Sequence, residues 1–280
     1  VYVFSRSGAK WSQRAYLKAS NTDEKDEFGD AVAVSDDGAT LAVGAPWEDG
    51  SATGVNGDGA DNSAQGSGAV YVFVHSDGQW RQQAYVKSSR AEPAARFGRA
   101  VALSASGDTL AVGAPRQGNG SKGGGNSGAD NSARYSGAAY LFRREGARWF
   151  QHSEIKAANA GPADQFGSSV ALAGEGRILA VGAYREDSAA IGINGDAADN
   201  SARYSGAAYL FTRQGPDWPQ HAYIKSPNTE PADMFGVSIA LSAHGDTLAI
   251  GAYLEDSAAT GVNGYTGDNS ASGSGAVYLY

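Results

Sequence analysis

A repeat of 69 residues constrains the fold of this 280-residue chain more than any other feature. The segment Val1-Tyr2-Val3-Phe4 returns in closely similar form at 70–73, 139–142, 208–211 and 277–280. Residues 129–142 and 198–211 are identical. Self-similarity at a fixed long period indicates a fold in which each unit buries its apolar face against its neighbours.

Each unit predicts four short β-strands and no helix. In the second unit, alternating apolar residues predict strands at 70–74, 82–87, 100–104 and 109–112, joined in pairs by the turns Ser76-Asp77-Gly78 and Ala105-Ser106-Gly107-Asp108. No segment keeps a helical period for three turns, which excludes a parallel βαβ fold. Four strands per unit predict an all-β fold, a β-propeller of four-stranded antiparallel blades. The second strand is amphipathic and is expected to lie furthest out.

The repeat also predicts the domain organisation. We expect a single propeller over residues 1–280, with units 1–69, 70–138, 139–207 and 208–276 and a terminal strand at 277–280. The first and last strands are the same element, so in a closed ring of four blades they would compete for one place. We therefore expect the array to continue beyond this segment. The alternative is a ring of four blades with an added edge strand.

Composition excludes several classes of partner. The net charge is −8, there is no cysteine, and lysine and arginine form no run. Nucleic acids and anionic lipids require clustered cations, so neither is expected as a partner. No apolar stretch approaches the roughly 20 residues of a membrane helix. Membrane insertion is therefore not expected, and the N-terminus begins inside a strand pattern without a signal-like segment.

A Phe-Gly pair, a strand of small residues and a Gly-Ala-Pro element recur in step. The pairs begin at Phe28, Phe97, Phe166 and Phe235, and Gly-Ala-Pro stands at 44–46 and 113–115. The pattern resembles the FG-GAP repeat, the family of integrin α-subunit propellers and of bacterial secreted proteins with long arrays. The resemblance implies an extracellular or cell-surface protein, bacterial in origin, that recognises a protein or glycan on a surface, in a ring that usually has seven blades.

Two departures from the family pattern limit what the resemblance carries over. Tyr184 and Tyr253 replace the proline of Gly-Ala-Pro in the third and fourth units. In integrin-like blades, the turn after the Phe-Gly strand carries a calcium loop rich in aspartate. Here that turn is only Ser35-Asp36-Asp37-Gly38. It is too short for such a loop, so the integrin site is not transferred.

The connection after the fourth strand is long, for example residues 46–68, and rich in hard oxygen ligands spaced by glycines. Calcium takes six to eight such oxygens. The sequence therefore predicts Ca²⁺ in at least one loop, held by Glu48, Asp49, Asn56, Asp58, Asp61, Asp187, Asn194, Asp196, Asp199, Asp256, Asn263 and Asp268. The second unit lacks the set, because Gln117, Gly118 and Ser127 replace three of the acids and leave Asp130 alone.

Two other interpretations of these acids stay open. Asn-Gly pairs and Asp-Asn-Ser runs also form ordinary turns. The acids could instead pair with Lys18, Lys87, Lys156 and Lys225, which recur at one place in the second strand, although the second unit keeps its lysine without the acids.

Binding is favoured over catalysis. The four histidines show no zinc spacing and no nucleophile motif is present. The Gly-rich run 118–123 lacks the helix of a dinucleotide site. In-phase tryptophans predict packing between blades, with carbohydrate stacking as the alternative, while the lone loop residue Trp47 is a candidate ligand contact. We expect a non-catalytic recognition module; alternatives are a spacer that self-assembles through edge strands and an accessory propeller of a secreted enzyme.

Overall fold

The computed structural model describes residues 1–118 and 133–280. The described residues form seventeen β-strands and no α-helix, which confirms the predicted all-β fold. In chain order the strands are β1 (Tyr2–Ser7), β2 (Lys10–Tyr16), β3 (Ala31–Val34), β4 (Thr40–Ala45), β5 (Ala69–Ser76), β6 (Gln79–Val86), β7 (Ala100–Leu103), β8 (Thr109–Ala114), β9 (Ala138–Glu145), β10 (Arg148–Ile155), β11 (Ser169–Leu172), β12 (Ile178–Ala183), β13 (Ala207–Thr212), β14 (Gln220–Ile224), β15 (Phe235–Leu241), β16 (Leu248–Ala252) and β17 (Ala276–Leu279).

The strands form antiparallel sheets arranged as the blades of a propeller. Three sheets have four strands, in the orders β3-β4-β5-β6, β7-β8-β9-β10 and β11-β12-β13-β14, while β15-β16-β17 has three and β1-β2 has two. The first strands of successive blades, β3, β7, β11 and β15, lie beside one another. The amphipathic strands β6, β10 and β14 lie at the outer edges, as the sequence predicts.

Each blade takes strands from two consecutive sequence units. In the first complete blade, Ala42 of β4 lies opposite Val72 of β5 across the long connection. The chain then leaves this blade after β6 and enters the next at β7. Each complete blade therefore consists of the third and fourth strands of one unit and the first and second strands of the following unit. Hydrogen bonds between the fourth strand and the next first strand join the two halves.

The apolar core consists of clusters between neighbouring blades. One cluster packs Val72 and Val86 of one blade against Val112 and Phe142 of the next. The Phe-Gly phenylalanines anchor these interfaces, because Phe97 meets Tyr140 edge-on at 5.5 Å and Phe142 at 5.9 Å. The same pairing recurs in every unit at almost the same distances. The repeat thus specifies the interface between blades as well as the strands.

The in-phase tryptophans follow the packing prediction in part. Trp149 and Trp218 are buried, and the Trp149 indole donates to Gln83 of the preceding blade at 2.8 Å. Trp11, in contrast, is 63% exposed. The number of blades in the complete array stays a prediction. In the part of the chain that the structure describes, no helix is long and apolar enough to cross a membrane.

Candidate functional site

Long loops connect the second and third strands of the blades, and we call residues 46–68, 184–206 and 253–275 the rim loops. The first is built around Glu48, whose side chain is 2% exposed. Its carboxylate accepts hydrogen bonds from Tyr85 Oη (2.7 Å), Asn21 Nδ2 (3.0 Å) and the backbone N–H of Gly50 (3.0 Å). Lys87 Nζ lies 2.6 Å from Glu48 Oε2. A buried ion pair therefore orders this loop.

The third unit repeats the arrangement. Glu186 pairs with Lys225 at 2.9 Å and accepts from Asn159 at 3.0 Å. Burial lowers the pKa of both Lys87 and Lys225, and the partner carboxylates oppose that shift. The lysine-pairing interpretation thus describes Glu48 and Glu186.

The second unit reaches charge balance by a different route. Gln117 occupies the glutamate position, and Lys156 donates to the carbonyl oxygen of Gly137 at 3.2 Å. The partly buried carboxylate of this blade is instead Glu154, which stands where the first complete blade has Tyr85 and pairs with Arg90 at 3.0 Å. The sequence comparison missed this exchange because it followed the loop alone. The sequence does carry a signal of this exchange, because residues 90, 117 and 154 depart together from the residues at the equivalent positions of the other units.

A second buried carboxylate lies beside each loop glutamate. Asp26, Asp164 and Asp233 occupy equivalent positions, and each accepts the backbone N–H of the residue three before it. Burial raises the pKa of Asp164 to about 7, with a further contribution from the charges of Glu186 and Asp187. The pKa of Asp233 is also raised to about 7, by burial and by the charges of Glu230, Glu255 and Asp256. The sequence analysis did not single out these residues.

The other predicted calcium ligands stabilise turns of the rim loops. Asp49, Asp187 and Asp256 each accept a backbone N–H from the far end of their own loop, at 2.7, 2.7 and 2.6 Å. Asn56 and Asn194 accept the N–H of the tyrosine in the adjacent outer strand. The remaining acids accept the N–H two residues ahead, namely Asp58, Asp61, Asp196, Asp199 and Asp268. Asn263 has a left-handed backbone, as do Asn56 and Asn194.

These ligands do not converge in the described residues. Over 1–118 and 133–280, no cluster of three or more histidine, aspartate or glutamate side chains is arranged to hold a metal ion. In the described residues these carboxylates cap turns or pair with lysines. Ser127, Asp130 and most of the Gly-rich run 118–123 lie outside the described residues.

Arginines and aromatic residues alternate along the rim loops. The guanidinium of Arg96 lies 4.0 Å from the ring centroid of Trp47, which is 36% exposed. In the next unit Arg116 lies 5.8 Å from the Tyr135 ring, and in the third Arg185 lies 5.2 Å from the Tyr204 ring. Arg96 reaches Trp47 from the β6–β7 connection. Arg116 and Tyr135, by contrast, share the β8–β9 connection, and Arg185 and Tyr204 share one rim loop. We call Trp47, Arg96, Arg116, Tyr135, Tyr184, Arg185 and Tyr204 the arginine–aromatic rim.

A polar cleft lies beside this rim in the first unit. Its volume is about 600 Å³, and it is lined by Asn21, Asp23, Asn56, Asn62 and Gln82 among others. Amide side chains of this kind can donate and accept hydrogen bonds, so the cleft suits a neutral polar ligand.

The model of the FG-GAP repeat matches four segments of the chain, residues 11–73, 80–142, 149–211 and 218–280. The chain belongs to the FG-GAP repeat family. These FG-GAP matches run through each Phe-Gly pair, each rim loop and the strand that follows it. The FG-GAP propeller is typical of binding or structural modules, and its repeats are typical of extracellular proteins.

Similar solved structures include hydrazine synthase of Kuenenia stuttgartiensis, with 13% identity, a TM-score of 0.42 and coverage of 85% of this chain and 45% of that one. Another is Sqt1 of Saccharomyces cerevisiae, with 10% identity, a TM-score of 0.45 and coverage of 84% and 45%. The chain thus spans less than half the length of these structures. No curated protein matches the sequence.

Proposed function

We propose that this FG-GAP propeller is a non-catalytic extracellular recognition module that presents its rim loops to a protein or glycan on a surface. The observation that carries the proposal is the contrast between the base of the loops and their outward position. Buried ion pairs fix the bases of two loops, at Glu48–Lys87 and Glu186–Lys225, whereas the outward position changes from Trp47 to Arg116, Arg185 and Leu254. Variable side chains on a rigid scaffold are the usual design of a binding surface.

Binding to arrays of glycans and surface proteins tests this function. We expect reproducible binding by the whole chain that weakens when Trp47 and Asn62, at the rim and in the polar cleft, are both changed to alanine. A matched control changes Lys10 and Gln79, which are exposed on the outer strands β2 and β6. Binding that is absent, or equally weakened by both pairs, would contradict presentation by the rim loops.

The structural alternative makes a different prediction. If the chain were a spacer that self-assembles through edge strands, its sedimentation coefficient should rise with protein concentration. A recognition module should sediment as one species at concentrations that saturate its ligand. The accessory-propeller alternative requires a catalytic domain on the same polypeptide.

Calcium binding by the rim loops stays a prediction with a direct test. A cation that binds only the folded state raises the melting temperature by mass action. A calcium-dependent rise that disappears in the Asp196→Ala/Asp199→Ala variant supports the site predicted from the sequence. Equal melting with calcium and with chelator contradicts it and leaves turn capping as the role of these acids.

A further inference from the structure

The arginine–aromatic rim gathers cations that are far apart in the sequence. Arg96 and Arg116 are separated by the hairpin β7–β8, and the backbone N–H of Arg116 donates to Ala95 O at 3.1 Å. Burial lowers the pKa of Arg96, and the nearby charges of Arg116 and Arg99 lower it further. Tyr184 of the following blade also lies close enough to act on Arg96. The fold thus brings several arginines near one another on a chain of net charge −8, with Glu27 as a nearby acid.

These arginines have no carboxylate partner within the described residues. Arg96, Arg116 and Arg185 form no ion pair there, whereas Arg90, Arg99, Arg144 and Arg177 do. The Nε atoms of Arg96 and Arg185 are buried and lack any hydrogen-bond acceptor in the same part of the chain. An acid-rich protein that leaves guanidinium groups unpaired on one surface retains donors for an external anion.

An aromatic ring lies close to each of the three guanidinium groups. Arg185 lies between two rings, 5.5 Å from the Tyr184 centroid and 5.2 Å from the Tyr204 centroid. A guanidinium stacked on a ring keeps the N–H groups in its own plane, where a carboxylate or sulfate is bound by two parallel hydrogen bonds. Stacking also reduces the conformational entropy lost on binding.

We propose that the arginine–aromatic rim binds an acidic polysaccharide, a linear polymer that carries carboxylate or sulfate groups at regular intervals. The pairs Arg116–Tyr135 and Arg185–Tyr204 lie one 69-residue repeat apart, and Arg96 adds a further cation beside Trp47. The rim therefore matches a ligand whose charges also repeat, and simultaneous contacts raise the overall affinity. A single small anion would occupy only one of the positions. This inference rests on the proposed recognition function and names its ligand class.

Polygalacturonate is the test probe, and biolayer interferometry with the whole chain is the measurement. We expect saturable binding that weakens at least tenfold in the triple variant Arg96→Gln/Arg116→Gln/Arg185→Gln. The matched control is Arg14→Gln/Arg81→Gln/Arg148→Gln, which removes the same charge from exposed arginines of the outer strands. The control should bind within twofold of the parent chain, and methyl-esterified polygalacturonate should not bind.

A third variant keeps the result interpretable if the rim triple variant does not fold. Arg185→Lys preserves the charge but loses the planar, stacked fork, and we expect it to weaken binding at least threefold with an unchanged melting temperature. Absence of polygalacturonate binding, equal loss in rim and control variants, or equally tight binding of poly-L-glutamate would each overturn the inference. Array binding that depends on Trp47 and Asn62 but not on the arginines would overturn it while leaving the proposed function intact.

Discussion

Glu48 and Lys87 illustrate how single residues organise this propeller. Their ion pair is buried between the rim loop and the outer strand, and every other polar group around the carboxylate donates to it. Removing one member of a buried pair leaves an uncompensated charge, which is far more costly than removing both. The loop conformation therefore depends on the pair, although the pair itself adds little net stability.

The variant Glu48→Gln should lower the free energy of unfolding by about 3 kcal/mol, because Lys87 remains buried without its carboxylate. Urea denaturation followed by circular dichroism measures the change. The control Asp58→Asn alters an exposed acid of the same loop and should stay within about 0.5 kcal/mol of the parent chain. Adding Lys87→Met to Glu48→Gln should restore part of the loss; equal effects of Glu48→Gln and the control would contradict the role of the pair.

Asp164 makes stability depend on pH. Burial raises the pKa of Asp164 from the ordinary aspartate range to about 7 in the folded chain, so the folded state binds more protons between about pH 4 and pH 7. The contribution of Asp164 to stability is fully present below pH 4 and is lost as the pH rises through 7. At about 1.4 kcal/mol per pH unit, the loss is at most about 4 kcal/mol.

Asp164→Asn should therefore stabilise the chain at pH 8 and leave it nearly unchanged at pH 4, since the amide oxygen can still accept the Gly161 N–H. Melting curves across this range measure the difference. The exposed Asp196→Asn serves as the control and should shift melting equally at both pH values. Stabilisation of the same size by Asp164→Asn at pH 4 would exclude ionisation as the cause.

At the scale of elements, glycines let neighbouring blades approach closely. A Cβ added to Gly113 in β8 would collide with the carbonyl oxygen of Gly167 at the start of the next blade. The same contact recurs at Gly44 and Gly182. The Phe-Gly and Gly-Ala elements are thus two sides of one interface between blades.

Gly113→Ala should lower the free energy of unfolding by at least about 2 kcal/mol, because the backbone of the adjoining blade must shift. The control Gly146→Ala lies in a hairpin turn with open space around it and a left-handed backbone, so it isolates conformational strain, about 1 kcal/mol. Thermal unfolding compares the two. A smaller loss at Gly113 than at Gly146 would exclude the steric contact.

Sequence periodicity predicted the strands, the repeat and the propeller, because a strand's alternation and its turn residues are local properties. Which neighbouring strand a strand pairs with is not a local property. The alternation of Val70–Val74 fits pairing with either neighbour along the chain, so the sequence does not reveal that each blade spans two units. The arginine–aromatic rim was missed for a related reason. Arg96 meets the Trp47 ring, and Arg116 and Arg185 meet rings at the far end of their own connections, only once the chain has folded.

For the whole molecule, the pattern of sheets predicts unequal local stability. The β1–β2 hairpin is a two-stranded sheet with Tyr2 and Tyr16 about 60% exposed, whereas β8 and β9 are central strands of a four-stranded blade. Isolated hairpins are marginally stable. Amides of β1 and β2 should exchange with deuterium at least a hundredfold faster than those of β8 and β9. Equal protection would show that the array unfolds only as one cooperative unit.

The distribution of each sheet over two consecutive repeats also bears on the history of the gene. Each sheet of three or four strands is joined by hydrogen bonds between one copy and the next, as between Leu41 and Phe73. Unequal recombination that gains or loses one whole copy rejoins equivalent strands and leaves each remaining sheet intact. The identical segments 129–142 and 198–211 are where two copies would align best in such an exchange. Relatives should therefore differ in length by whole copies far more often than by fractions of one.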